Sequence, residues 1–242
     1  MIKFLARAFL APLARLLFRP RIIGKQNVPK SGPVLIASNH LSFIDSVVIT
    51  LVAPRSVSFL AKSEYFTGTG LKGLVSRLFF TGIGAIPVER SAGQAAQDAL
   101  NSGLGVLEHG DAFAIYPEGT RSRDGRLYRG RTGVAWLALT SGAPVVPVAL
   151  TGTEHIQPPG SRRIHFARVT VEFGIPVAVA GSAASGKDRR NVTDDIMEAI
   201  QLMSGQEFAD EYNEPPAATA AERARRAVRS RVRRWFRRDG RH

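Results

Sequence analysis

Between residues 31 and 180 the apolar positions follow two registers, and each predicts its own kind of element. Short, nearly unbroken apolar runs lie near 33–38, 56–61, 84–88, 112–116 and 144–151, and a stricter alternation, VTVEF, lies near 169–173. Runs of this length, bounded by Gly, Pro and polar residues, predict buried strands, and the longer stretches between them predict helices. Strands alternating with helices predict an α/β fold: a single domain whose mixed, largely parallel sheet is flanked by helices. The stretch 132–153 is uncharged and as long as a membrane span, but SGAP at 141–144 divides it into a helix and a strand.

The two ends follow a different pattern. MIKFLARAFLAPLARLLFRPR sets Ile2, Leu5, Phe9, Leu13 and Leu16 at helical spacing, with Lys3, Arg7 and Arg15 gathered on another side. The internal arginines and Pro12 leave too short an apolar stretch for the ~20 residues of a spanning helix, so residues 1–24 are expected to lie in a membrane interface. After Pro215-Pro216, the segment AAERARRAVRSRVRRWFRR sets Ala221, Ala224, Val228, Val232 and Trp235 on one stripe among arginines. It predicts an amphipathic or disordered tail over 213–242, with 25–212 as the core domain.

Charge sharpens this division. The net charge of +13 is concentrated at the ends: residues 1–30 hold seven Lys or Arg and no acid, and residues 217–242 hold ten Arg against Glu222 and Asp239. The intervening 31–216 is nearly neutral at −2. Basic ends on a neutral core predict docking to a polyanionic surface, membrane or nucleic acid, and the amphipathic patterns of the ends favour an anionic membrane. No nucleic-acid partner is expected, since no zinc-finger pattern or aromatic RNA-binding signature accompanies the charge. The absence of cysteine excludes a disulfide framework, a thiolate zinc site and a cysteine nucleophile.

Two strand ends carry candidate chemistry. The first is NHLSFID at 39–45. In a structural reading Ser42 caps a helix beginning near Phe43, with Asp45 as a capping-box variant. In a chemical reading His40 and Asp45 form a pair. On a continuous helix they would stand about 140° apart, so pairing needs the bend that a strand-to-helix turn supplies. Asp45 could then hold one imidazole nitrogen while the other faces outward as a general base. The second stretch is YPEGTRSRDGRLYRG at 116–130, which follows the strand AFAI. In α/β sheets the loops at the carboxyl ends of strands gather in one crevice. There Gly119 permits close backbone approach and its N–H could face an oxyanion, while Arg121 offers a fork for phosphate. The arginines at 121, 123, 126, 129 and 131 suit either phosphate-bearing ligands or a solvated loop. GSAASGKD at 181–188 has phosphate-loop spacing, but Asp188 stands where a Ser or Thr is needed, and a loop before a helix at 190–203 accounts for it. No GxSxG elbow is present.

Taken in order, NHLSFID, AKSEYF at 61–66, GAIPVER at 84–90, PEGTRS at 117–122 and APVVPVAL at 143–150 resemble the sequence blocks of the glycerolipid acyltransferases, in particular the bacterial 1-acylglycerol-3-phosphate acyltransferase group. The resemblance implies that His40 deprotonates an acceptor hydroxyl and that Asp45 orients and charge-stabilises it. It implies that Lys62, Arg90 and Arg121 hold the acceptor phosphate, that Glu118, Gly119 and Thr120 shape the site or face the oxyanion, and that Pro147 borders the acyl-donor region. Direct attack on a thioester follows, without an acyl-enzyme, metal or cofactor; acyl-CoA or an acyl-carrier protein is the co-substrate and a lysophospholipid the acceptor. A peripheral place on the cytoplasmic face of the cell membrane is expected, whereas many relatives carry spanning helices. The alternatives are transfer to glycerol 3-phosphate or another polar lipid, a non-catalytic membrane- or nucleic-acid-binding protein, and a metal-dependent hydrolase built on His40, Asp45 and Glu118.

Overall fold

All five residues of VLIAS at 34–38 are buried, as expected of a strand covered on both faces. The computed structural model describes residue 12 and residues 20–88, 95–158 and 163–214. The strands are β1 (Arg21–Ile23), β2 (Val34–Ser38), β3 (Val57–Lys62), β4 (Ala85–Val88), β5 (Ala112–Ile115), β6 (Leu127–Tyr128), β7 (Val145–Thr151), β8 (Thr170–Phe173) and β9 (Phe208–Ala209). The helices are α1 (Asp45–Val52), α2 (Gly70–Gly82), α3 (Ala95–Glu108), α4 (Gly133–Ser141), α5 (Thr153–Ile156) and α6 (Gly186–Ser204). Seven strands form one sheet in the order β1-β8-β7-β2-β5-β3-β4, and β6 pairs with β9 in a small second sheet. Among the described residues only the β7–β8 strand pair is antiparallel, so the sheet is mixed and largely parallel, as the strand-helix alternation predicts.

The sheet separates two apolar layers. On one face Ile36, Val146 and Val148 pack with Ile49 and Val52 of α1 and Phe80 of α2. On the other, Leu35, Ala37 and Val145 pack with Leu107 of α3, Leu137 of α4 and Ile196 of α6. The chain therefore leaves β2 towards the first face, through α1, and leaves its neighbour β5 towards the second, through α4. Diverging connections from adjacent parallel strands open a crevice at their carboxyl ends. The loops that bound it are 39–44 and 116–126.

The six predicted strands are all present, with boundaries shifted by no more than about two residues. The helix expected at 190–203 begins earlier, at Gly186, because Ser185 Oγ accepts the Asp188 N–H at 3.1 Å and caps it. Asp188, the residue that spoils the phosphate-loop pattern, thus serves a helix start. Two boundaries need correction. Residues 21–23, expected in the amphipathic helix 1–24, form β1 on the edge of β8. Three residues carry no readable period; the unpaired edge of β8 draws them into the sheet. Asn213, expected in the tail, is buried and donates to the Thr120 carbonyl at 3.2 Å, so the core domain reaches past 212. The rest of both terminal segments, except residue 12, falls at 1–19 and 215–242, outside the described residues.

Candidate active site

The bend that His40 and Asp45 require lies between β2 and α1, and it is held by Asp45 itself. Its Oδ2 accepts the backbone N–H of Leu41 at 2.7 Å and of Ser42 at 2.8 Å, and meets His40 Nδ1 at 2.8 Å. A carboxylate only accepts, so Nδ1 carries the proton and Nε2 is left with its lone pair. His40 and Asp45 do pair, and the capping reading of NHLSFID holds only in part. Asp45 supplies the reciprocal half of a capping box, but Ser42 Oγ donates to the Gln157 carbonyl at 3.1 Å, and helix α1 has no side-chain cap. Asp45 is fully buried, while the His40 side chain remains 17% exposed, which leaves the imidazole reachable from the crevice.

The PEGTR loop closes on the same histidine through the backbone. His40 N–H donates to Glu118 Oε1 at 3.1 Å, and its carbonyl accepts Ser122 N–H at 2.7 Å. Glu118 Oε2 accepts Tyr128 N–H at 3.0 Å, so one fully buried carboxyl braces both the His40 turn and the start of the second sheet. Tyr116 stacks flat on the imidazole with ring centroids 3.9 Å apart, and its hydroxyl lies 2.7 Å from Ser46 Oγ, fixing the plane of the ring. Burial, with the Asp45 charge adding, pushes the Tyr116 hydroxyl well above the ordinary phenol range and keeps it neutral. Asn39 locks the neighbouring strand: it donates to the Leu150 carbonyl at 2.9 Å and accepts the Leu150 N–H at 2.8 Å. Sequence reasoning missed Asn39, Ser46 and Tyr116. A two-sided amide beside the histidine and an aromatic at the end of β5 were the available signals.

Burial pushes the Glu118 carboxyl from its ordinary 4.5 to about 7, opposed by the two N–H donors and helped by the charges of Asp45 and Asp124. The folded protein therefore holds this proton more tightly than the unfolded chain. That contribution to stability is complete below pH 4.5 and is lost as pH rises through about 7. Glu118→Gln, which does not titrate, is expected to flatten this part of the melting-temperature profile between those two pH values. It should also lower the melting temperature throughout, because Gln has one acceptor oxygen for two N–H donors.

The other expected site residues are distributed unevenly. Gly119 has φ 75°, and a Cβ there would press on Arg131 Nε at 2.9 Å, so the turn suits glycine. Its N–H donates to the Tyr116 carbonyl at 2.9 Å, which corrects the expectation that it faces an oxyanion. Thr120 accepts from Asn213 through its carbonyl. Arg121 is exposed at the crevice. Lys62, also exposed, ends β3, which β5 separates from β2. Arg90 lies outside the described residues. Pro147 sits in the interior of β7 opposite Ala37, alternating with Val146 and Val148, so it points away from α1 and towards Gly174 and Met203. Of the five loop arginines, Arg126 pairs with Asp124 at 2.8 Å, while Arg129 and Arg131 lie over the Tyr212 ring at 5.5 Å each. Among the described residues Arg121 and Arg123 keep their guanidinium groups unpaired. No cluster of three His, Asp or Glu side chains suited to a metal ion occurs among the described residues.

A buried carboxylate, an imidazole with one nitrogen facing the crevice and an exposed arginine meet at a topological switch point of an α/β sheet. Known proteins place the chain more closely. A family model described as Acyltransferase matches residues 19–151, and the chain belongs to that family. It is 33% identical over 148 residues to a chloroplastic 1-acyl-sn-glycerol-3-phosphate acyltransferase from Brassica napus, covering 61% of this chain and 41% of the relative. It is 28% identical over 134 residues to a 1-acyl-sn-glycerol-3-phosphate acyltransferase from Borreliella burgdorferi, covering 55% and 52%. The chain thus spans about half the length of these curated relatives or less. The crystal structure of the 1-acyl-sn-glycerophosphate (LPA) acyltransferase PlsC from Thermotoga maritima shares the fold, with a TM-score of 0.62 at 22% identity over 83% of this chain and 82% of that one.

Proposed function

We propose that this protein transfers a fatty acyl group from a thioester to the hydroxyl of 1-acylglycerol 3-phosphate, giving phosphatidate, with His40 as general base. The observation that carries the reading is the 2.8 Å contact of His40 Nδ1 with the buried Asp45, which leaves Nε2 open to the crevice. Nε2 takes the proton of the acceptor hydroxyl as its oxygen attacks the thioester carbonyl, and Asp45 stabilises the imidazolium that forms. The tetrahedral intermediate collapses, the C–S bond breaks, and the leaving thiolate takes the proton back from Nε2. The backbone N–H groups of Thr120 and Arg121, which have no hydrogen-bond partner among the described residues, are the candidates for the oxyanion. Arg121, and Lys62 with Arg90 beyond it, hold the phosphate. Pro147 has a supporting role in the sheet in this reading, not a place beside the donor.

The substrates are amphiphiles, and the layout suits a lipid surface. Arg21 opens β1 opposite Thr170, which in turn pairs with Thr151 at the carboxyl end of β7. Asn213 touches the PEGTR loop. Both basic segments therefore join the domain at its catalytic end, where they would hold it on the anionic cytoplasmic leaflet as a peripheral protein. Among the described residues no helix is long and apolar enough to cross a membrane.

The test is thiol release from acyl-CoA and from acyl-carrier protein, measured with lysophosphatidate, glycerol 3-phosphate or a neutral lysolipid as acceptor. Release is expected with lysophosphatidate and phosphatidate is the product; release with the neutral lysolipid alone would overturn the acceptor. Arg121→Ala is expected to raise the KM for lysophosphatidate about 10- to 100-fold, the worth of a charge-assisted hydrogen bond to phosphate, with kcat changed much less.

A further inference from the structure

Helix α2 is amphipathic with its apolar side outward. Leu71, Leu74, Val75, Leu78 and Phe79 are 77, 43, 57, 47 and 36% exposed, a larger apolar display than any other helix presents among the described residues. At about 100° per residue these five side chains fall within one arc of about 140°. Gly73, Ser76 and Phe80 fall on the opposite arc, and they fix which side faces in. Phe80 stacks on Tyr65 with centroids 4.5 Å apart, Ser76 Oγ donates to the Tyr65 carbonyl at 2.7 Å, and a Cβ at Gly73 would collide with the backbone of Gly68. The outward stripe is thus a committed surface, not a misplaced core.

The charge around the stripe indicates what covers it. Lys72 and Arg77 are exposed and fall on either side of the apolar arc, and the helix GLKGLVSRLFFTG contains no carboxylate. An apolar face bordered by cations matches the boundary between acyl chains and anionic headgroups. Position supports the same occupant. The helix starts from the carboxyl end of β3, so the stripe begins at the catalytic end of the sheet. Phe43, three residues from His40, packs edge-on against Tyr65 and Phe80 at 5.7 and 6.3 Å, which ties the inner face of α2 to the catalytic turn.

We infer that α2 is a lipid-docking helix, whose outer stripe inserts into the headgroup boundary of an anionic bilayer and brings the mouth of the crevice to the surface holding the acceptor. The inference rests on the acyl-transfer reading only for its choice of a lipid occupant.

Because the chain has no cysteine, one introduced thiol reports one position. The experiment uses the full chain with Leu78→Cys carrying an environment-sensitive nitrobenzoxadiazole label, and as control the same label on Leu202→Cys, a 79% exposed position on α6 at the other face. Vesicles of phosphatidylglycerol and phosphatidylcholine, or of phosphatidylcholine alone, are added without acyl donor or acceptor. The label at 78 is expected to shift to the blue on the anionic vesicles and to be quenched by spin-labelled lipid, while the label at 202 keeps its aqueous emission. Leu74→Ser with Leu78→Ser is expected to weaken binding to the anionic vesicles about tenfold or more, through lost apolar burial, and to retain transfer to a short-chain, water-soluble lysophosphatidate. An aqueous signal at 78 while the chain co-sediments with vesicles, or no vesicle binding at all, overturns the inference. So does a blue shift that grows with protein concentration in the absence of lipid, which assigns the stripe to a second copy. A wild-type chain that transfers no acyl group defeats the proposed function but leaves the label readout intact.

Discussion

Replacing His40 with alanine is expected to lower kcat with lysophosphatidate by about 10²–10⁴-fold, the usual worth of a positioned general base, and to leave the fold in place. The separation of the two effects follows from the hydrogen bonds. The PEGTR loop is joined to residue 40 through its N–H and carbonyl, both of which alanine retains. Asp45 Oδ2 keeps the Leu41 and Ser42 N–H donors, so the turn remains closed. What disappears is the imidazole and its stack on Tyr116. Single-turnover thiol release beside a thermal melt checks both halves. A variant that melts well below the wild type would make His40 a structural residue, and one that transfers acyl groups normally would remove it from the mechanism.

Much of this arrangement is legible in the sequence because local signals and tertiary packing agree there. The six principal strands are long enough, and apolar enough, for their pattern to outweigh any local rival. The pairing of His40 with Asp45 is one of two readings that NHLSFID leaves open, permitted by the bend that a strand-to-helix turn supplies. What stayed hidden depends on partners distant in the chain. β6 and β9 are two residues each and exist because the segment after α6 returns to the PEGTR loop, with Leu127 N–H donating to the Glu207 carbonyl. Arg126, Arg129 and Arg131 read as free cations until Asp124 and Tyr212 are placed beside them. The stripe of α2 is periodic in the sequence, yet periodicity does not say which side faces in. That was decided by Gly73 and Phe80.

Asp45 separates binding, stability and chemistry more sharply than the histidine does, because its one oxygen Oδ2 serves all three donors. In Asp45→Asn the amide oxygen can still accept from the backbone of Leu41 and Ser42, so the turn survives, but the negative charge opposite the imidazole is gone. In the proposed transfer step the imidazolium would then have no counter-charge in a buried site, and kcat is expected to fall by about 10²-fold or more while the KM for lysophosphatidate, which the proposed mechanism assigns to Arg121, Lys62 and Arg90, moves little. Asp45→Ala removes the acceptor as well. Two backbone N–H groups are then left buried without a partner, at about 1–3 kcal/mol each, so this variant is expected to melt lower in addition to losing activity. The pair of variants discriminates because a purely structural Asp45 would make asparagine nearly as active as wild type and alanine merely unstable. Equal melting temperatures for the two variants would show that Asp45 does not hold the turn, and a KM increase without loss of kcat in Asp45→Asn would move its role from the transition state to substrate binding.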